Sequence, residues 1–189
     1  MLQTKERNEI LGSFSKLFNY PQGDLKEIAQ GMLDALTEWN TDAAESLRHF
    51  IVTIDSMDQS RQEENYTTTF DVNPSCCPFL GNQLFGETIK RSEFLSMLIG
   101  KYNEYEFQNE TTELADHVMV VLEFLRQLDL KENLYMEILE DGLLPVFEKM
   151  KTGFKKGSKI EDRNPYFYLI ESCSYFLNEI KNQINGGMR

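Results

Sequence analysis

Apolar residues recur every three or four positions along almost the whole sequence, which is the spacing of one face of an α-helix. Ile10, Phe14 and Phe18 show this spacing near the start of the chain. A half-buried strand would alternate apolar and polar residues, and no such alternation stands out. The chain has 189 residues, which is the length of one domain. The pattern therefore predicts an all-α protein, a multi-helix bundle in a single domain over residues 1–189.

The helical spacing fails in two places. Between about residues 71 and 82, Pro74, Pro78 and Gly81 interrupt it, so we expect an irregular crossing in the middle of the bundle. A crossing of this length in a small domain suggests a functional role. Between about residues 149 and 159 there are five lysines and no acidic residue. This stretch predicts a solvated connector before the last helix, with contact to an anion or nucleic acid as the alternative.

The most apolar segment runs from Val118 to Leu122 and would be apolar on every side of a helix. Such a helix is expected at the centre of the bundle. It is far shorter than the roughly 20 residues that a membrane span needs, so no insertion into a membrane is expected. The first residues lack the apolar core of a secretory signal, and three cysteines are too few for a disulfide framework. We therefore expect a cytoplasmic protein.

The charge of the chain is strongly negative. It has 19 Lys and Arg against 31 Asp and Glu, a net charge of −12. An acidic chain repels phosphate backbones, so nucleic acid is not expected as a partner, and a basic peptide or protein is. The stretch from Tyr102 to Leu125 contains six acidic residues and no Lys or Arg. It is either a solvated face or a docking surface for an arginine-bearing segment.

The sequence contains none of the common catalytic or metal-binding signatures. It has no GxxxxGK[ST] phosphate loop, no GxGxxG, no HExxH and no CxxC. We therefore predict no catalytic residue, no metal site and no cofactor. Asp116 and His117 are adjacent, and adjacent residues of a helix do not face each other. Taken alone, Asp116 is typical of a first helical turn, where the helix dipole favours an acid, and His117 is typical of a hydrogen-bonded packing residue.

Four separated strings resemble one known family. They are YTTTFD at 66–71, LFGE at 84–87, ELADHVMVVLEFL at 113–125 and NPY at 164–166. In this order they resemble the TorD/DmsD/NarJ family of cytoplasmic chaperones for the maturation of molybdopterin-containing oxidoreductases. The string at 113–125 is the most specific and is most similar to the nitrate-reductase branch, with Ala115 where the family has a proline.

The resemblance implies an all-helical chaperone that is not an enzyme. Such a chaperone binds the N-terminal leader of the catalytic subunit of a molybdopterin oxidoreductase, a twin-arginine signal or its remnant. It holds the apo-enzyme for cofactor insertion and assembly, as a monomer or a domain-exchanged dimer. Together with the acidic stretch, the resemblance gives the candidate leader-binding residues Asp116, His117, Tyr66, Phe70, Phe85 and Glu123.

An alternative function belongs to a different class. A helical enzyme or cofactor carrier would act on the molybdopterin cofactor or on a nucleotide through Asp116 and His117. Binding of a leader peptide distinguishes the two functions, because only the chaperone requires it.

Overall fold

The computed structural model describes residues 4–154 and 164–187 of the chain. These residues form helices joined by turns, with no β-strand among them. The all-α prediction is therefore confirmed. In chain order the helices are α1 Thr4–Leu17, α2 Leu25–Trp39, α3 Thr41–Asp55, α4 Gln59–Tyr66, α5 Leu80–Phe85, α6 Ile89–Glu104, α7 Val118–Leu125, α8 Asn133–Glu137, α9 Leu144–Thr152 and α10 Pro165–Gly187.

Side chains just before three of the helices explain where those helices begin. Asp24, Asn40 and Asp58 each accept a hydrogen bond from the backbone N–H three residues later, at 2.8–2.9 Å. Such caps satisfy one of the four N–H groups that a helix leaves unpaired at its start. The cap of α3 is Asn40, and Asp42 lies in the first turn of that helix.

Two π-helical segments extend the regular helices. Thr67–Val72 continues α4, and Ile138–Leu143 joins α8 to α9. Pro145 lies in the first turn of α9, directly after the second segment. Proline has no N–H to donate, and its ring clashes with the carbonyl four residues back in an α-helix. The π-helical segment, with its wider hydrogen-bonding pattern, thus directly precedes this proline.

The core of the bundle surrounds α7. Every residue of α7 except Glu123 is buried, as the apolar run predicts. Helix α1 packs against α2 and α7, α3 packs against α2 and α10, and α10 also packs against α9. The buried side chains of these helices belong to one hydrophobic cluster, so the described helices share a single core.

The irregular crossing is held to the segment before α7 by backbone hydrogen bonds. The Leu80 N–H donates to Asp116 O, and the Val118 N–H donates to Pro78 O, both at 2.8 Å. Phe79 and His117 thereby form an isolated antiparallel bridge. The helix that follows, α5, begins inside the predicted crossing and was not expected from the sequence.

The predicted lysine-rich connector, at about residues 149–159, overlaps the end of α9. Lys149 and Lys151 lie in the last turn of that helix, which ends at Thr152. Residues 155–159 lie outside the described part of the chain.

Candidate functional site

An open groove of about 300 Å³ lies between α5 and α6 on one side and α7, α8 and the second π-helical segment on the other. We call it the α5–α6 groove. Most of its lining is apolar, and three side chains are charged. The apolar side chains are Leu80, Leu84, Phe85, Phe94, Met97, Leu98, Val121, Phe124, Leu134 and Ile138, and the charged ones are Lys101, Glu137 and Asp141.

Helix α6 leaves this groove open because it buries only a small part of its apolar surface. Only Leu98 and Tyr102 of the helix are buried. Met97 and Ile99 are each 50% exposed, on different sides of the helix, and Met97 lines the groove while Ile99 does not. An unpartnered apolar surface next to polar residues is typical of an interaction site.

Asp116 lies at the junction of α5, α6 and the turn before α7, where it is 0% exposed. Its Oδ2 accepts a hydrogen bond from the Gly81 N–H at 3.0 Å and lies 3.7 Å from Nε of Arg91. Burial raises the pKa of this carboxyl group, and Arg91 and the Gly81 N–H lower it less strongly. Asp116 precedes α7 and does not belong to its first turn, so the interpretation from the helix dipole is wrong. The carboxylate instead holds the first turn of α5.

Because Gly81 has no side chain, the carboxylate of Asp116 can lie close to the first turn of α5. A Cβ at this position would lie 2.9 Å from Oδ2 of Asp116 and 3.0 Å from the ring of Phe94. Cβ atoms in proteins essentially never lie as close as 2.9 Å to another heavy atom, so a side chain at position 81 would displace the Asp116 carboxylate. Because Phe94 lines the groove, the junction at Asp116 lies directly behind the groove wall.

His117 is 1% exposed and is the N-cap residue of α7. Its Nδ1 accepts a hydrogen bond from the Met119 N–H at 3.1 Å, which places the proton of the neutral ring on Nε2. The ring contacts Phe79 edge-on at 5.1 Å between centroids. Burial lowers the pKa of His117 to about 4, so the ring is neutral at pH 7. His117 is a hydrogen-bonded packing residue, as its sequence position alone suggests.

The turn before Asp116 is held although it lacks the proline typical of the family. The Tyr102 hydroxyl donates to the Ala115 carbonyl at 2.7 Å, and the Asn109 amide donates to the Glu113 carbonyl at 2.8 Å. These hydrogen bonds restrain the segment that a proline would otherwise stiffen.

Tyr66 and Phe70 lie in a buried aromatic cluster rather than in the groove lining. Their ring centroids are 5.0 Å apart, and that of Phe70 is 4.8 Å from Tyr166 at the start of α10. The Asn164 amide donates to the Thr69 hydroxyl at 2.6 Å. Two of the family strings, at 66–71 and 164–166, therefore meet at this contact between the first π-helical segment and α10.

Of the candidate residues, the structure places Phe85 in the groove. It is 37% exposed and its ring lies 5.6 Å from that of Phe94. Glu123 lies on α7 outside the groove lining and forms an ion pair with Arg126.

The acidic side chains of the groove are Glu137 and Asp141, which the sequence analysis did not identify. In the sequence they are two acids in an ordinary amphipathic helix. They reach an apolar opening only because α8 lies across the groove from α6, a helix that ends at Glu104, far earlier in the chain. Of the six acidic residues at 102–125, Glu104, Glu106 and Glu110 are exposed, Glu113 and Glu123 are half-buried, and Asp116 is buried.

The described residues contain neither a candidate metal site nor a candidate membrane-spanning helix. Across 4–154 and 164–187, no three or more His, Cys, Asp and Glu side chains are grouped to hold a metal ion. In the same residues, no helix has both the length and the apolar character to span a membrane. Cys76 and Cys173 are buried, and burial raises the pKa of the Cys76 thiol to about 11.

Comparison with known protein families identifies the family of this chain. The family model described as nitrate reductase delta subunit matches residues 33–150. The chain belongs to this family. The matched range includes every residue that lines the α5–α6 groove. This membership confirms the resemblance to the TorD/DmsD/NarJ family and to its nitrate-reductase branch.

Two curated relatives are similar to the chain over 121 residues, at 27% identity. Both are named nitrate reductase molybdenum cofactor assembly chaperone NarJ, from Escherichia coli K12 and from Escherichia coli O157:H7. The aligned part is 62% of this chain and 51% of each relative. The chain thus spans about half the length of the curated relatives it matches.

Proposed function

We propose that this protein is a molybdoenzyme maturation chaperone that holds the N-terminal leader of a catalytic subunit in the α5–α6 groove. Membership of the nitrate reductase delta subunit family and the names of the two relatives support a chaperone of this kind. The leader of an immature subunit is a cationic and partly apolar segment, twin-arginine or its remnant. While the leader is held, the apo-enzyme waits for cofactor insertion and assembly.

The observation that carries this proposal is the groove itself. It offers an apolar floor, an aromatic wall at Phe85 and Phe94, and carboxylates at its edge. An arginine-bearing apolar peptide is complementary to such a surface in both shape and charge. A peptide that is disordered before binding loses conformational entropy when it docks, which lowers its affinity. We therefore expect moderate affinity and reversible release.

The candidate residues take different parts in this proposal. Phe85 contacts the leader directly. Asp116 and His117 are buried behind the groove wall, and they act on leader binding by holding α5 in place. Direct contact of Tyr66, Phe70 and Glu123 with the leader stays a prediction, as do the cytoplasmic location and the monomeric or domain-exchanged state.

The proposal is tested by isothermal titration of the full chain with synthetic leaders of the molybdoenzyme catalytic subunits encoded in the same genome. Met97→Lys places a positive charge in the apolar groove and should weaken binding of the preferred cationic leader by more than about tenfold, because a charge is costly in an apolar contact and repels the arginines of the leader. Ile99→Lys is the matched control, since Ile99 is equally exposed on the same helix but outside the groove. Equal effects of both substitutions, or no leader that binds, would refute the proposal.

A further inference from the structure

We propose that Glu137 and Asp141 together select an arginine in the bound leader, in preference to a lysine. This inference rests on the proposed function of the groove and assigns its polar specificity to two residues.

The two carboxylates occupy one side of the groove. Glu137 ends α8, and Asp141 lies in the π-helical segment that continues it. Residues four apart lie on the same face of a helix, and both side chains line the groove. Leu134 and Ile138 of the same helical stretch line it as well. A ligand in the groove would therefore meet two carboxylates next to an apolar surface.

Neither carboxylate is neutralised within the part of the chain that the structure describes. There, no Lys or Arg lies within ion-pair distance of Glu137 or Asp141. Their neighbour Glu140, in contrast, forms an ion pair with Lys181 at 3.0 Å. Lys101, the cation in the groove lining, pairs with Glu104 at 2.8 Å and offsets part of the charge of Glu137 at longer range. The groove thus presents two carboxylates, neither of which has an ion-pair partner among the described residues.

Two like charges one helical turn apart repel each other, which slightly destabilises the free protein. A single cation between them removes that repulsion on binding. Guanidinium is suited to this position, because its planar fork donates several N–H bonds to two carboxylates at once. An ammonium group is a compact point charge that holds its water more strongly. The adjacent apolar lining excludes part of that water, which strengthens the charged hydrogen bonds.

The experiment uses the full chain and the tightest-binding leader from the titrations above. The leader is compared with versions in which every arginine is replaced by lysine or by glutamine. Each peptide is titrated into the wild-type chain, into the Glu137→Gln/Asp141→Asn double variant, and into Glu140→Gln as the matched control. Titrations at low and high salt separate charge contacts from apolar ones.

The wild-type chain should prefer arginine over lysine and lysine over glutamine, with affinity that falls as salt rises. The double variant should bind the arginine peptide about tenfold more weakly, lose the preference for arginine over lysine, and lose most of its salt dependence. Glu140→Gln should bind as wild type does. The melting temperatures of the three proteins should differ only slightly, because removal of the repulsion between Glu137 and Asp141, or of the partly exposed Glu140–Lys181 ion pair, has little effect on stability.

A double variant with unchanged affinity, unchanged arginine preference and unchanged salt dependence overturns the inference. If Met97→Lys still weakens binding by more than about tenfold in that case, the groove remains the leader site and only the assignment of Glu137 and Asp141 fails. If Glu140→Gln weakens binding as much as the double variant, a general surface charge acts instead, and the inference is also overturned.

Discussion

Replacement of Asp116 by alanine tests whether the buried junction holds the groove wall. Asp116→Ala removes the acceptor of the Gly81 N–H and leaves that donor buried without a partner. Loss of a hydrogen bond to a charged group costs about 1.5–3 kcal/mol. Arg91 adds to this cost, because its Nε, 3.7 Å from the carboxylate, is buried without a hydrogen-bond partner and loses its counter-charge.

We therefore expect Asp116→Ala to lower the free energy of unfolding by about 2 kcal/mol. For a domain of this size, that loss corresponds to a fall of about 4–8 °C in melting temperature. The assay is thermal and urea unfolding followed by circular dichroism. Because α5 forms one wall of the groove, the same variant should also weaken binding of the leader peptide.

Asp116→Asn separates the hydrogen bond from the charge. The amide oxygen of asparagine still accepts a hydrogen bond from the Gly81 N–H. Burial raises the pKa of Asp116 because it disfavours the charged carboxylate, and asparagine carries no charge there. A carboxyl group whose folded-state pKa is raised stabilises the protein most at low pH, and that stability is lost as pH rises through the folded pKa. The stability of Asp116→Asn relative to wild type should therefore increase as pH rises from about 4. An alanine variant as stable as wild type, or an asparagine variant as unstable as alanine at pH 7, would refute this account of the junction.

Three further predictions concern contacts outside the groove lining. Burial holds the pKa of His117 at about 4, below its usual 6.5. The stability of the wild-type protein should therefore fall by on the order of 3 kcal/mol as the pH drops from 6.5 towards 4. In urea unfolding, His117→Asn should reduce this pH dependence, and an unchanged dependence would contradict the prediction. Gly153→Ala would place a Cβ 2.8 Å from Sγ of Cys76 and should cost about 1–3 kcal/mol by thermal unfolding; an unchanged melting temperature would show that the contact relaxes freely. Tyr102→Phe removes the hydrogen bond to Ala115 and should cost about 1 kcal/mol in urea, whereas no change would mean that the turn is held elsewhere.

Long apolar segments were predictable from the sequence, because helical spacing reports burial directly. The central position of α7 follows from the run Val118–Leu122, which leaves no polar side for solvent. Short helices were not predictable in the same way. Helix α5 has six residues and its N-cap residue, Phe79, makes no side-chain cap, so it carries neither periodicity nor a start signal.

The candidate site was only partly predictable. Phe85 was identified through its family string and does line the groove. The burial of Asp116 was not foreseen, since its partner Gly81 lies 35 residues away and its role depends on a backbone bridge. Glu137 and Asp141 were missed for the same reason, because a groove formed by α5, α6 and α8 has no local signature in the sequence.

The most direct test of the central claim is to locate the leader on this protein inside its native cells. A photoreactive amino acid is placed at position 97 in the groove, or at position 99 on the same helix outside it, and cross-linked peptides are identified by mass spectrometry. We expect cross-links from position 97 to the N-terminal leader of a molybdoenzyme catalytic subunit, and few or none from position 99. Cross-links to that leader from position 99 alone, or none from position 97, would contradict the claim.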